Sequence, residues 1–460
     1  MNREEIRISR RAFVQRGVLS TVTAGIGYTQ SGSSVPDTRR AQSPHATAYW
    51  PQWRGPLSTG EAPQGNPPVS WDERTRIRWK LAIPGLGHAT PVVWGDRIFI
   101  QTAVPAVDVA RDQRGLVGRV LDAWGKDHAF RFEILAVNRA DGRLLWRRTA
   151  RTEVPHEGRH EDGSWASGSP VTDGEHVFAF FGSRGLYCYD VTGTLQWEKD
   201  FGDMRIRYGF GEGSSPALCD NRLIVTWDHE DQSFIVVLDK RTGRELWRAD
   251  RNEGTSWATP LVVEHKGIAQ VVTSAMQRVR SYDLNTGTLL WETRGMTANP
   301  IPSPVAANGV VYVMGGFRES VLLAVSLEKA RGDAAQSKAV LWEYNQDTPY
   351  VPSPLLYEGA LYFLKSNHNI LTCLNARTGS PFYARQRLEG IASVYASPTA
   401  AQGRVYIAGR NGRTLVLKHG TKCEVLATNV LDDNFDASPA IVGNELYLRG
   451  HRSLYCIAGE

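Results

Sequence analysis

Eight short stretches of this chain mix aromatic, acidic and histidine residues, and each runs up to a small residue and a proline. They are GLGHA (85–89), HEDGSWASG (160–168), YGFGEGS (208–214), NEGTSWA (252–258), TANPIP (297–302), DTPYVP (347–352), SVYA (393–396) and NFDA (434–437). Between them they supply His88, Trp165, Glu212, Trp257, Asn299, Tyr350, Tyr395 and Asp436. Aromatic faces with a few convergent polar groups make a small-ligand pocket, provided the fold brings them together. Glu212 and Asn299, with Asp436, carry the hard oxygen ligands that calcium takes. Asp436, or Asp228 in TWDHEDQS (226–233) beside His229 and Glu230, is the type of group that serves as a general base. In PHEGRHE (155–161), His156 and His160 have zinc-like spacing on a helix, but the proline and glycine predict a loop. GFGEG (209–213) does not open a dinucleotide-binding helix, because a proline-initiated strand follows it.

The elements that must position these residues are repeats. Each stretch leads into a small residue, a proline, a short apolar run, a polar turn and an alternating strand. The marking prolines are 91, 170, 216, 260, 304, 354, 398 and 439, spaced 79, 46, 44, 44, 50, 44 and 41 residues apart. A second phrase follows, as in AVNRADGRLLWR (136–147), CYDVTGTLQWEK (188–199), VLDKRTGRELWR (237–248) and SYDLNTGTLLWE (281–292): strand, tight turn, strand, tryptophan. Four strands per 40–50 residues is the period of a β-propeller blade, so the chain reads as an all-β, eight-bladed propeller of four-stranded antiparallel blades. The tryptophans, Trp79, Trp146, Trp197, Trp247, Trp291 and Trp342, end outermost strands and fill the wedge between blades. Blades six and seven depart from this, with Phe382 or Tyr383 and no aromatic in that place. The last repeat stops at SLYCIAGE without a fourth strand, and RIRWKLAI (76–83), before the first proline, is expected to complete it and close the ring.

One ring uses nearly all of residues 49–460. Within it, 103–133 is an insertion in blade one whose Leu116, Val120, Leu121 and Trp124 predict a short amphipathic helix, and RGD (331–333) in EKARGDAAQSK is expected to be a solvated loop. The net charge of +5 is concentrated at one end: residues 1–48 carry seven basic and three acidic side chains, or +4 of it. No basic run in the repeats suggests nucleic-acid binding. The five cysteines, at 188, 219, 373, 423 and 456, are odd in number and far apart, which reads as small buried hydrophobes. SRRAFVQ (9–15) before the weakly apolar GVLSTVTAGIGYT (17–29) fits a twin-arginine export leader, with ATA (46–48) as a cleavage-like site. The apolar stretch is too short for a membrane span, and no cysteine precedes Cys188, so no lipid anchor is expected. The expectation is a monomer outside the cytoplasm, in the periplasm or beyond.

The phrase AVNRADGRLLW resembles the tryptophan-docking motif of quinoprotein (PQQ) dehydrogenases and their non-enzymatic PQQ-like relatives, and WPQWRGPLSTG (50–60) looks like the start of exported planctomycete-type PQQ-like repeat proteins. The outer-membrane-assembly scaffold shares the fold. The dehydrogenases hold PQQ and calcium at the axis, between a tryptophan and a disulfide of adjacent cysteines that this chain lacks. Two functions follow from the resemblance. One is a non-catalytic binding or scaffold propeller, with no cofactor, presenting its channel mouth to a protein or small ligand. The other is a PQQ- and calcium-dependent alcohol or sugar dehydrogenase, with Trp257 or Trp165 stacking on the cofactor, Glu212 and Asn299 holding calcium, and Asp228 or Asp436 as base. PQQ is flat and tri-acidic, yet the eight stretches contain no arginine or lysine, and Arg278, Arg280 and Arg410 are expected to lie too far along their blades to reach it.

Overall fold

The computed structural model describes residues 44–106 and 128–459. Blade one is formed by Val92–Trp94, Arg97–Pro105, Phe130–Asn138 and Leu144–Glu153, paired antiparallel in that order, and seven further sheets repeat the arrangement from innermost to outermost strand. The eighth sheet takes its outermost strand, Ile77–Ala82, from the other end of the chain, with Lys80 opposite Tyr455. The ring is therefore closed by pairing, and Ser453–Ala458 is not left as an open edge. Burial follows strand position. Val321–Ser326, a third strand, is buried throughout, whereas the outermost Glu245–Arg251 alternates between exposed and sheltered residues. That is why the inner strands read as continuous apolar runs and the outer ones as alternation.

Asp239 Oδ1 accepts the backbone N–H groups of Arg241 and Thr242, both at 3.0 Å, and fixes the turn. Gly243 then takes φ +70°, and the Trp197 ring of the preceding blade lies where a Cβ would be, 2.8 Å away. Trp197 Nε1 donates to Lys240 O in the same turn at 3.0 Å. Trp79, Trp146, Trp247 and Trp342 dock the same way, on Arg139 O, Val191 O, Leu284 O and Arg377 O. The repeated glycine and the repeated tryptophan are thus two halves of one joint between blades.

Trp291 is the exception. Its Nε1 donates to Gln270 Oε1 at 2.9 Å, and it is fully buried. The next blade has EKARGDAAQSK where the docking turn would be, and Gly332–Asp333 from that insertion pairs parallel with Trp291 and Glu292 as a fifth strand of blade four. The RGD segment is solvent-exposed at Arg331 and Gly332 as expected, but it is a paired strand and not a free loop, and the insertion covers a tryptophan that has no turn glycine to dock on. In blade six, Tyr383 lies edge-on to Tyr362 while Phe382 is left exposed, so Tyr383 replaces the tryptophan. Strands Arg97–Pro105 and Phe130–Asn138 run into both ends of the expected 103–133 insertion. Its helix, and the twin-arginine leader, lie outside the described residues; ATA (46–48) falls in the 3-10 turn Pro44–Ala48. No helix of the described residues is long and apolar enough to cross a membrane.

The small residue before each marking proline is always a hydroxyl residue: Thr90, Ser169, Ser215, Thr259, Ser303, Ser353, Ser397 and Ser438. Seven of the eight backbone N–H groups donate to the next hydroxyl around the axis, from Thr90 to Ser169 at 2.9 Å, then through Ser215, Thr259, Ser303, Ser353 and Ser397 to Ser438. The circle stops there, and Thr90 Oγ1, the acceptor that would complete it, is buried without a partner among the described residues.

Candidate functional site: the axial cavity

A blade's first strand leaves the channel mouth and its second returns there. The stretches before the prolines and the turns between second and third strands therefore meet at one end. They enclose a cavity of about 200 Å³ lined by Trp53, His88, Asp162, Trp257, Tyr350, Tyr395, Asp436 and neighbouring side chains, with the hydroxyls of Ser215, Thr259, Ser303, Ser353 and Ser397 beneath. Below the hydroxyls the channel is closed by WPQWRGPLSTG, to which the sequence reading assigned no structural task. Trp50 pairs with Val93, Trp53 Nε1 donates to Ser303 Oγ at 3.2 Å, and Ala62 N donates to Ala400 O at 2.8 Å. Arg54 donates through Nη2 to the carbonyls of Pro354 (2.9 Å) and Pro398 (2.7 Å). Burial pushes its pKa down to about 9.

One polar network occupies the cavity wall. Asp436 Oδ2 lies 2.8 Å from His451 Nε2 and 3.6 Å from His88 Nε2, and Arg410 Nε lies 2.8 Å from its Oδ1. Arg410 also reaches across to Asp162, Nη1 to Oδ1 at 2.7 Å, and lies 4.3 Å over the Tyr395 ring, whose hydroxyl donates to Asp162 Oδ2 at 3.0 Å. Burial alone would raise the pKa of Asp436, but the His451 hydrogen bond and the charges of its neighbours hold it below the usual carboxylate range. Burial pulls His88 down to about 4, so it is neutral at pH 7. Burial and the hydrogen bond to Asp162 push Tyr395 up to about 12. Arg410 rises despite burial, because it serves two carboxylates.

His88, Glu212, Trp257, Tyr350, Tyr395 and Asp436 thus reach one cavity as the repeat pattern implied. The others have different surroundings. Trp165 is buried against Phe130 and under Arg159, and lines, with Asp228, a separate recess of about 20 Å³. Asp228 forms a fully buried two-point ion pair with Arg251, at 2.7 and 3.0 Å, which leaves it committed rather than available as a base. Glu212 accepts from Ser183 N (2.7 Å), Ser183 Oγ (2.6 Å) and Arg184 Nη1 (2.9 Å). Asn299 is buried, with its amide 3.4 Å from Tyr350 OH. His156 and His160 sit in a loop with different partners, Met204 O and the Asp162 N–H. Arg410, expected far from the mouth, stands beside it, paired to the cavity-lining Asp162 and Asp436 without itself lining the cavity, and His451 is brought in the same way: both stand in turns between second and third strands, which return to the mouth. The signal was available in the meander itself.

The site and the ring define an eight-bladed β-propeller with a cavity on its axis, open on one face and sealed on the other. Residues 131–384 and 231–458 match the family model described as outer membrane protein assembly factor BamB, and the chain belongs to this PQQ-like propeller family. It is 20% identical over 356 residues to the tetrathionate hydrolase of Acidithiobacillus ferrooxidans, spanning 72% of this chain and 64% of the hydrolase, just under two thirds of its length. Among solved structures it is similar to BamB from Moraxella catarrhalis, with a TM-score of 0.52, 13% identity, and 71% of this chain and 93% of that one covered. It is also similar to the computationally designed Ika8 protein, with a TM-score of 0.50, 12% identity, and 72% and 93% covered. At these identities the structural likeness concerns the fold.

Proposed function

We propose that the protein is an exported, non-catalytic propeller that binds a small, uncharged, hydroxyl-rich ligand of monosaccharide size in its axial cavity. The observation that carries this reading is the pairing of apolar ring faces with a pre-ordered Asp162–Arg410–Asp436 bridge in a space of about 200 Å³. Trp257 and Trp53 satisfy their N–H groups internally, on Gly211 O and Ser303 Oγ, so their faces are left as apolar surface. The Asp162 and Asp436 carboxylates line the cavity and are held in place by Arg410, so they accept hydrogen bonds from hydroxyls at fixed positions, which limits the ordering cost of binding. An extracytoplasmic location, by the twin-arginine route, is supported by SRRAFVQ.

The dehydrogenase reading is weaker on chemical grounds. The cavity is smaller than the ~300–1,000 Å³ that drug-sized ligands occupy. Its wall carries Asp162 and Asp436, with Arg410 already shared between them. A tri-anionic quinone would find no arginine or lysine among the lining residues to pair its carboxylates, and the residues do not fit it. Calcium fits no better, because Glu212 is saturated by Ser183 and Arg184, and Asn299 is not among the cavity-lining residues. Saturation-transfer NMR with glucose, N-acetylglucosamine, myo-inositol and glycerol tests the proposal. At least one should show transfer in the wild type that is lost in Trp257→Ala; transfer from none of them would sink it.

A further inference from the structure

We propose that His88, Asp436 and His451 hold a divalent transition-metal ion at the cavity wall, on the seam between the first and last blades. One ligand atom from each residue lies within 4.8 Å of the others. The two imidazoles are stacked, with centroids 5.5 Å apart and planes 18° from parallel, and both aim Nε2 at the same carboxylate oxygen. Among the described residues the His88 Nε2 atom has no hydrogen-bond partner although it is buried, an uncommon state for a ring nitrogen and one a metal bond would relieve. His88 stands two residues before Thr90 and Asp436 two before Ser438, so the three ligands meet where the circle of hydroxyl bonds is left open. An ion there would join the blades at the one place where that chain of hydrogen bonds does not.

The donor set selects the ion. Two imidazole nitrogens and one carboxylate suit zinc, iron(II), nickel or copper, whereas calcium and magnesium take oxygen. Arg410 orients the carboxylate from its far oxygen, as outer partners of metal ligands do. His88 and Asp436 line the cavity, so a three-ligand ion would keep a coordination position open to it. The metal site stands independently of the saccharide reading, because its ligands suffice without any cavity occupant.

Calorimetric titration of the full chain, stripped with a chelator and free of sugars, tests it. Zinc should bind one equivalent per chain and raise the melting temperature, calcium should give no heat, and His451→Ala and His88→Ala should each weaken zinc by at least about 100-fold. His451 is partly exposed, so its variant should fold; the metal-free melt of each variant checks this. Cobalt substitution provides a second readout, with visible absorption bands in the wild type and none in His451→Ala. No zinc uptake, uptake at equal affinity in the folded His451→Ala variant, or no cobalt bands would each overturn the assignment.

Discussion

Arg410 and Asp162, 248 residues apart in the chain by their numbers, form a 2.7 Å ion pair that spans the channel mouth. Asp162 precedes blade two and Arg410 lies in blade seven, so the pair ties together parts of the cavity wall separated by blades one and eight. Because Arg410 also holds Asp436, which is almost fully buried, Arg410→Ala leaves a carboxylate short of its partner. The expected loss of stability is about 1–3 kcal/mol, measured by urea unfolding, together with at least a tenfold loss of monosaccharide affinity. Unchanged affinity would place the ligand elsewhere.

Asp228 tests the opposite claim, that a conspicuous acid is structural. Its pair with Arg251 is fully buried at both ends, and Arg251 also donates to Thr273 and Tyr282. Asp228→Asn should cost about 3–5 kcal/mol, because it strands a buried cation. Cavity binding by the folded variant should be unchanged. Thermal unfolding and a titration at low temperature separate the two effects.

The joint between blades can be split into its components by two glycines of blade four. Gly287 has φ +74° and a Trp247 ring atom 2.6 Å from where its Cβ would be, whereas Gly267 has φ +78° and nothing within 4 Å. Gly267→Ala should cost about 1 kcal/mol for the backbone conformation alone. Gly287→Ala should cost about 2–4 kcal/mol, because the ring must also move. Equal costs would mean that the tryptophan contact contributes little.

Asp173 offers a pH signature away from the cavity. Burial raises its pKa, but the hydrogen bond from Lys240 of the next blade and the His176 N–H outweigh that and leave it below its ordinary 3.8. A depressed carboxylate contributes stability that is fully present above 3.8 and is lost as pH falls through the folded value. Asp173→Asn should therefore destabilise at pH 7 by about 1 kcal/mol, and the difference from wild type should vanish in the pH range below 3.8. A difference that persists there would assign the effect to packing.

Blade number, closure by Ile77–Ala82 and the tryptophan joints were legible because they repeat, and repetition reports backbone geometry directly. The cavity was half legible. Residues before the innermost strand carry a sequence mark, the proline, and His88, Trp257, Tyr395 and Asp436 were found through it. Arg410 and His451 carry no such mark and depend on an antiparallel meander returning its second turn to the mouth. Asp228 misled because local density of acid and histidine looks the same whether the group faces a cavity or a buried arginine. Trp53 and Arg54 were missed because the segment containing them has no repeat partner. Its task, bridging several blades from below, exists only once the ring has closed.

Paired calorimetric titrations of the wild-type chain decide whether a small uncharged ligand binds on the propeller axis. One uses the monosaccharide with the strongest saturation transfer, the other PQQ with calcium. One saturable monosaccharide site per chain, lost in Arg410→Ala, and no uptake of the quinone are expected. Stoichiometric quinone binding, or no saturable heat with the monosaccharide, would overturn the proposed ligand class.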